Sequence, residues 1–168
     1  MPACSPWSAE RALAIIDRHR ALRGALLPIL HALQEEFGCI DAAAIPLLAA
    51  ELNLSRADVQ GVVSFYRDFR RTRPGRHILR ICRAESCQAL GGEALIAHAR
   101  RHLQVDFGGT TADGTFTLEP VFCLGNCGLS PAMMIDGDLH GRVDAARFDA
   151  VVDALVTESR CAAPREVA

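Results

Sequence analysis

Two short cysteine loops constrain this chain more than any other feature. The first, Cys82-Arg83-Ala84-Glu85-Ser86-Cys87, closes a strongly apolar run that includes Ile78, Leu79 and Ile81. The second, Cys123-Leu124-Gly125-Asn126-Cys127, follows a strand-like run from Phe116 to Phe122. Loops at two strand ends can bring four thiolates to one point. In a chain expected to be intracellular, that arrangement argues for a metal site rather than a disulfide framework. Structural zinc favours C-x2-C knuckles, and loops with four and three intervening residues are wider. A [2Fe-2S] rhomb needs two thiolates on each iron, and two separate pairs supply them. Iron–sulfur is the preferred reading; structural zinc and a redox dithiol stay open.

The rest of the composition excludes more than it selects. A chain of 168 residues can bury a sizeable core and form one or two domains. A net charge of −2 gives no footprint for nucleic acid or an anionic membrane. All 18 basic residues are arginine, which reads as genome composition rather than function. The first ten residues lack a basic stretch followed by an apolar run, so no secretory signal is expected. The apolar stretch from Ala42 to Ala50 is too short to span a bilayer and contains Pro46. The expectation is a soluble, cytoplasmic protein without direct membrane insertion.

Residues 1–70 read as a helical bundle. Ser8 can cap a helix over Ala9–His19, with Leu13 and Ile16 at helical spacing. A second helix spans Gly24–Phe37, with Pro28 harmless in its first turn and Gly38 as C-terminal cap. Asp41 can cap a third, Ala42–Leu52, ended by Asn53; Ser55 and Asp58 form a capping box opening a fourth. Between Arg67 and Arg76 lie five arginines with Pro74 and Gly75, read first as a solvated linker and alternatively as a basic edge for an acidic partner.

From His77 the period changes, and residues 77–158 form a second domain. His77–Ile81 is a strand, Gly91-Gly92 leads into a helix over Glu93–Leu103, and Thr115–Phe122 is a second strand. Ala132–Ile135 and Leu139–Val143 flank Asp136-Gly137-Asp138, a hairpin turn. A last helix covers Asp144–Thr157, followed by a loose tail from Ser159. The fold class is α+β: an N-terminal four-helix bundle, then a small thioredoxin-like α/β sheet domain.

Here the sequence resembles a known family. The bundle ends in Gly61-Val62-Val63-Ser64-Phe65-Tyr66, followed by C-x4-C and by Cys123-Leu124-Gly125-Asn126-Cys127 with Pro131 close behind. This combination resembles the thioredoxin-like [2Fe-2S] subunits. They include the 24 kDa-type subunit of respiratory complex I, the small subunits of NAD-reducing hydrogenases and the gamma subunits of NAD-dependent formate dehydrogenases. The resemblance covers about Arg20 to Val156. It implies that Cys82 and Cys87 hold one iron and Cys123 and Cys127 the other. It also implies electron transfer beside a subunit that binds FMN and NAD(H). Complex I members often carry Thr-Pro where Glu85-Ser86 stand here. With Ser64-Phe65-Tyr66-Arg67-Asp68-Phe69-Arg70 upstream, that departure resembles the formate dehydrogenase branch, which would add a molybdenum-containing catalytic subunit.

Neither cysteine loop contains proline, so every intervening residue keeps an N–H that can point at sulfur. Ser86 adds a hydroxyl expected beside the Cys87 sulfur. Cys4, Cys39 and Cys161 fit no pairing and read as free thiols. His98 and His102, four apart on a helix, suit a metal, but an exposed helix face is the favoured reading. No histidine lies in the cysteine loops, so a Rieske-type cluster is excluded. No Ser-His-Asp set, P-loop or G-x-G-x-x-G occurs, so the chain is expected to move electrons and to perform no substrate chemistry of its own.

Overall fold

A computed structural model describes residues 5–162, with side chains described through Thr157. Cys4 and the tail beyond residue 162 lie outside the described residues, as does the Cys161 side chain. The chain divides into two compact units, with the boundary between Pro74 and Gly75. No helix among the described residues is long and apolar enough to cross a membrane.

The first unit is built from α1 (Ala9–His19), α2 (Leu26–Phe37), α3 (Ala44–Glu51) and α4 (Arg56–Phe65). Ser8 caps α1 by accepting the Arg11 N–H. Ser55 and Asp58 exchange both bonds of the capping box that opens α4, with Asp58 N–H 3.0 Å from Ser55 Oγ. Gly38 ends α2 in the left-handed region, at φ 79°. Asp41 does not cap α3. Its carboxylate accepts the Ala43 N–H at 2.8 Å in a turn ahead of the helix, which opens only at Ala44. One core joins the four helices, with Ile16, Ile29, Leu30, Leu33, Phe37, Leu48 and Val59 all buried. Emptying any one of the large positions would cost about 2–5 kcal/mol.

The start of the arginine segment is no bare linker. Phe69 is buried in the helical core. Gln34 on α2 holds the backbone on both sides of Phe69: its Nε2 donates to the Asp68 carbonyl and its Oε1 accepts the Arg70 N–H, both at 2.7 Å.

The second unit contains β1 (His77–Cys82), α5 (Glu85–Ala89), α6 (Gly92–Leu103), β2 (Phe116–Val121), β3 (Met133–Ile135), β4 (Asp138–His140) and α7 (Ala145–Ala162). The strands form one sheet in the order β2-β1-β3-β4, with β1 and β2 parallel and the other pairs antiparallel. Alternation along the strands sends Leu79, Ile81, Phe116, Leu118, Met133 and Ile135 into one core with α6 and α7. Arg80 and Glu119, directly opposite in register, pair at 3.0 Å. Asp136 and Gly137, at φ 53° and 103°, make the two-residue turn between β3 and β4. Three features differ from the expected elements. The first cysteine loop is itself helical (α5), the last strand is Asp138–His140 rather than Leu139–Val143, and α7 continues past Thr157 into the expected tail, to Ala162.

Candidate metal centre

The parallel register of β1 and β2 places both cysteine loops at one edge. Cys82 stands opposite Val121, so the two strands finish level and the chain leaves both in the same direction. The Arg83 N–H donates to the Val121 carbonyl at 2.7 Å, and the Cys82 N–H to the Ala132 carbonyl at 3.0 Å. The approach to β3 is thereby fastened to the same edge. α5 then turns Cys87 back beneath β1's end, where Cys82 and Cys87 are 2% and 1% exposed. Cys123 and Cys127 lie on the exposed side.

The sulfurs converge. Cys123 Sγ and Cys127 Sγ are 3.8 Å apart. Two thiolates on one tetrahedral metal, with bonds of about 2.3 Å, stand about 3.8 Å apart. The Leu124 N–H of the second loop and the Ala84 N–H of the first both point at the Cys82 sulfur. Gly125 N–H lies 3.3 Å from Cys123 Sγ. Cys123 has φ 132°, a region that L-residues rarely occupy, and Gly125 follows at φ 75°. The second loop holds its sulfur with a strained backbone, as ligand loops often do.

The electrostatics of the bare thiols point the same way. Burial pushes the Cys82 thiol above its ordinary value, partly opposed by the Ala84 and Leu124 N–H groups, with Cys87 adding to the rise. Cys127 is raised chiefly by Cys123, with smaller contributions from Cys87 and Cys82. Four anionic sulfurs cannot stand together without positive charge among them. A polynuclear cation held by all four removes that repulsion, so the donor set fits a cluster.

A model of the thioredoxin-like [2Fe-2S] ferredoxin family matches residues 12–156. The chain belongs to this family. As a thioredoxin-like [2Fe-2S] ferredoxin it takes a [2Fe-2S] cluster as cofactor, and the four clustered thiols suit that group. A subunit of the NADH-quinone oxidoreductase of Pseudomonas aeruginosa is 42% identical over 121 residues, 72% of this chain and 73% of the relative. An NADH-quinone oxidoreductase subunit of Rhizobium meliloti is 36% identical over 151 residues, 90% of each protein. Among solved structures, an NAD+-reducing [NiFe]-hydrogenase in the air-oxidized state superposes with a TM-score of 0.68 at 28% identity, covering 84% of this chain. This ferredoxin spans only 24% of that hydrogenase chain.

Two hydroxyls complete the centre. The Ser86 hydroxyl bonds to groups other than sulfur. Its Oγ donates to the Cys127 carbonyl at 3.2 Å and meets Ser130 Oγ at 2.9 Å. Ser130, just after the second loop, is the residue whose Oγ sits 3.4 Å from Cys87 Sγ. No spacing signal in the sequence singles out Ser130, because the sheet edge brings it to a sulfur 43 positions away. Of the remaining described cysteines, Cys39 is buried in the helical unit, apart from these four in the chain.

Proposed function

We propose that Cys82 and Cys87 bind one iron and Cys123 and Cys127 the other, making this chain a one-electron carrier. Its place would be in a cytoplasmic-side complex of the NADH-quinone oxidoreductase type, next to a partner that binds flavin and NAD(H). The observation that carries the reading is the meeting of two thiol pairs at the common end of β1 and β2. The NADH-quinone oxidoreductase relatives support this setting over the formate branch.

The bound cluster supplies reversible one-electron chemistry. The protein's share is to hold and bias it. Ala84, Leu124 and Gly125 direct N–H groups at the sulfurs and so offset anionic charge. The buried pair keeps one side dry, while Cys123 and Cys127 face outward beside Phe122, 69% exposed, and Leu129, 42% exposed. That apolar rim suits a docking surface over which an electron crosses between proteins.

Serine at any of the four cysteines should lower iron and sulfide content or change the EPR spectrum of the reduced protein. Cys39→Ser should do neither. Loss of the cluster in Cys39→Ser with full retention in Cys87→Ser would refute the ligand set. A second reading, a formate dehydrogenase with a molybdenum subunit, is supported by Glu85-Ser86 and the Ser64–Arg70 stretch alone. Isolation of the native complex with its metals and flavin identified separates the two: molybdenum and formate oxidation favour the second.

A further inference from the structure

A second group of ligand atoms stands on the α6–α7 pair, outside the cysteine loops. His98 and His102 lie one turn apart on α6, and Asp149 of α7 reaches both. Its Oδ1 is 2.6 Å from His98 Nε2 and 3.0 Å from His102 Nδ1. The three ligand atoms lie within 4.8 Å of one another. An i,i+4 histidine pair facing a carboxylate from a neighbouring helix is the donor set that borderline divalent cations prefer.

Three further observations favour a cation over a simple ion pair. First, the rings are positioned: Phe148, fully buried, meets His98 and His102 edge to face at 5.6 and 5.8 Å. Second, the facing atoms need little movement. Tetrahedral ligands with bonds of about 2.0–2.1 Å stand roughly 3.3 Å apart, so the His98 contact opens from 2.6 Å and the His102 contact from 3.0 Å, each by less than about 1 Å. Each neutral imidazole keeps its one N–H on the nitrogen turned away from Asp149 and offers the facing lone pair to the ion. Third, for His102 that other nitrogen, Nε2, stands 4.0 Å from Asp153 Oδ1, beyond hydrogen-bond length but within reach of a small side-chain shift. A carboxylate behind a ligating histidine fixes its tautomer and raises its basicity.

We propose that His98, His102 and Asp149 form a zinc-class divalent cation site, with Asp153 orienting His102 and water completing the coordination. Such an ion would clip α6 to α7, the two helices that cover one face of the sheet. It is distinct from the iron–sulfur centre and uses none of its residues.

The test is equilibrium dialysis of cluster-loaded full-length protein against Zn2+, with zinc and iron measured together and cluster absorbance followed. One zinc per two irons is expected, with a rise in the thermal midpoint. His98→Gln and Asp149→Asn should each weaken zinc binding by at least about 100-fold, since even supporting residues behind a metal ligand are worth 10–100-fold. Both should keep the cluster, and His19→Gln, on α1, should bind as the parent does. Asp153→Asn should weaken binding less than Asp149→Asn. Absence of stoichiometric zinc in the parent would overturn the proposal. So would zinc binding that persists undiminished in His98→Gln and Asp149→Asn, which would put the ion on other groups.

Discussion

Ser130→Ala should make the cluster harder to reduce. In the thiol form the Cys87 S–H points to Ser130 Oγ across 3.4 Å. An iron-bound thiolate has no proton, so the contact can survive only with the serine hydroxyl as donor. Ser130 has one proton and three acceptors within reach: the Cys87 sulfur, the Cys127 carbonyl at 3.0 Å and Ser86 Oγ at 2.9 Å. Of the three only a thiolate sulfur carries charge and makes the stronger bond, and Ser86 relieves the carbonyl. Its own hydroxyl lies 3.2 Å from that carbonyl, so it can serve it and leave the Ser130 proton for sulfur. A donor at sulfur favours the reduced cluster, which carries one more negative charge. If that preference is about 0.5–1.5 kcal/mol, a one-electron couple shifts by roughly 20–60 mV. The potential should fall by that amount in Ser130→Ala and by less in Ser86→Ala, where Ser130 divides its proton between two acceptors. Ser130→Thr keeps the hydroxyl and should stay near the parent. Redox titration followed by EPR reads all three, with iron content confirming full loading. An unchanged potential in fully loaded Ser130→Ala would show that the hydroxyl does not act on the sulfur. A higher potential would show that the sign of the argument is wrong.

Gly92→Ala should destabilise the second unit, because a Cβ there would lie 2.6 Å from the Cys87 carbonyl oxygen and 2.9 Å from its carbon. We expect a loss of about 1–3 kcal/mol and reduced cluster occupancy by iron analysis; the gain normal for Gly→Ala within a helix would refute this close approach. Asp113, bonded by Thr111 and Thr115, has its pKa lowered to about 2. Its folded value lies below the unfolded one, near 3.9, so its contribution is present above that value and lost as the pH falls toward 2. The carboxylate is exposed, so the effect is small. The gap in urea midpoint between parent and Asp113→Asn should narrow from about pH 5 to about pH 3; a constant gap would refute the assignment. The helical unit holds none of the four clustered cysteines, so a fragment beginning at Gly75 should keep the cluster by EPR. If that unit docks the chain onto the proposed flavin-binding partner, the fragment should fail to assemble, and undiminished assembly would show that the helical unit is not the docking element.

What could be read from the sequence is what local chemistry decides. Ser8, Gly38 and the Ser55–Asp58 box mark helix ends through bonds made within a few residues, and the structure has those bonds. Asp136-Gly137 marks a hairpin because both positions need positive φ. Asp41 misleads for a physical reason: an aspartate accepts an N–H equally well in a turn and at a helix start, and here the turn wins. The inner helix α5 is invisible because five residues are too few to show a period. The arginine segment reads as solvated because its one buried residue, Phe69, is flanked by charge, and the amide that fastens it belongs to Gln34, far back in the chain.

The candidate centre divides along the same line. Each cysteine pair is visible alone, since its two sulfurs lie four or five positions apart, but nothing local says that the pairs meet. They meet because β1 and β2 run parallel and in a register that ends both strands at Cys82 and Val121. Parallel strands need a long connection between them, here the stretch that carries α6. The same connection therefore sets where the thiols converge and presents His98 and His102 to α7. A metal bound by those histidines would stiffen the crossover that aligns the two cysteine loops. The zinc titration and the cluster potential can then be compared in one sample. Zinc should raise the thermal midpoint of the parent and leave that of His98→Gln unchanged, while the potential stays the same in both. A potential that moved with zinc in the parent alone would show that the register at Cys82 and Val121 yields to α6, and the sheet edge would no longer count as a rigid support.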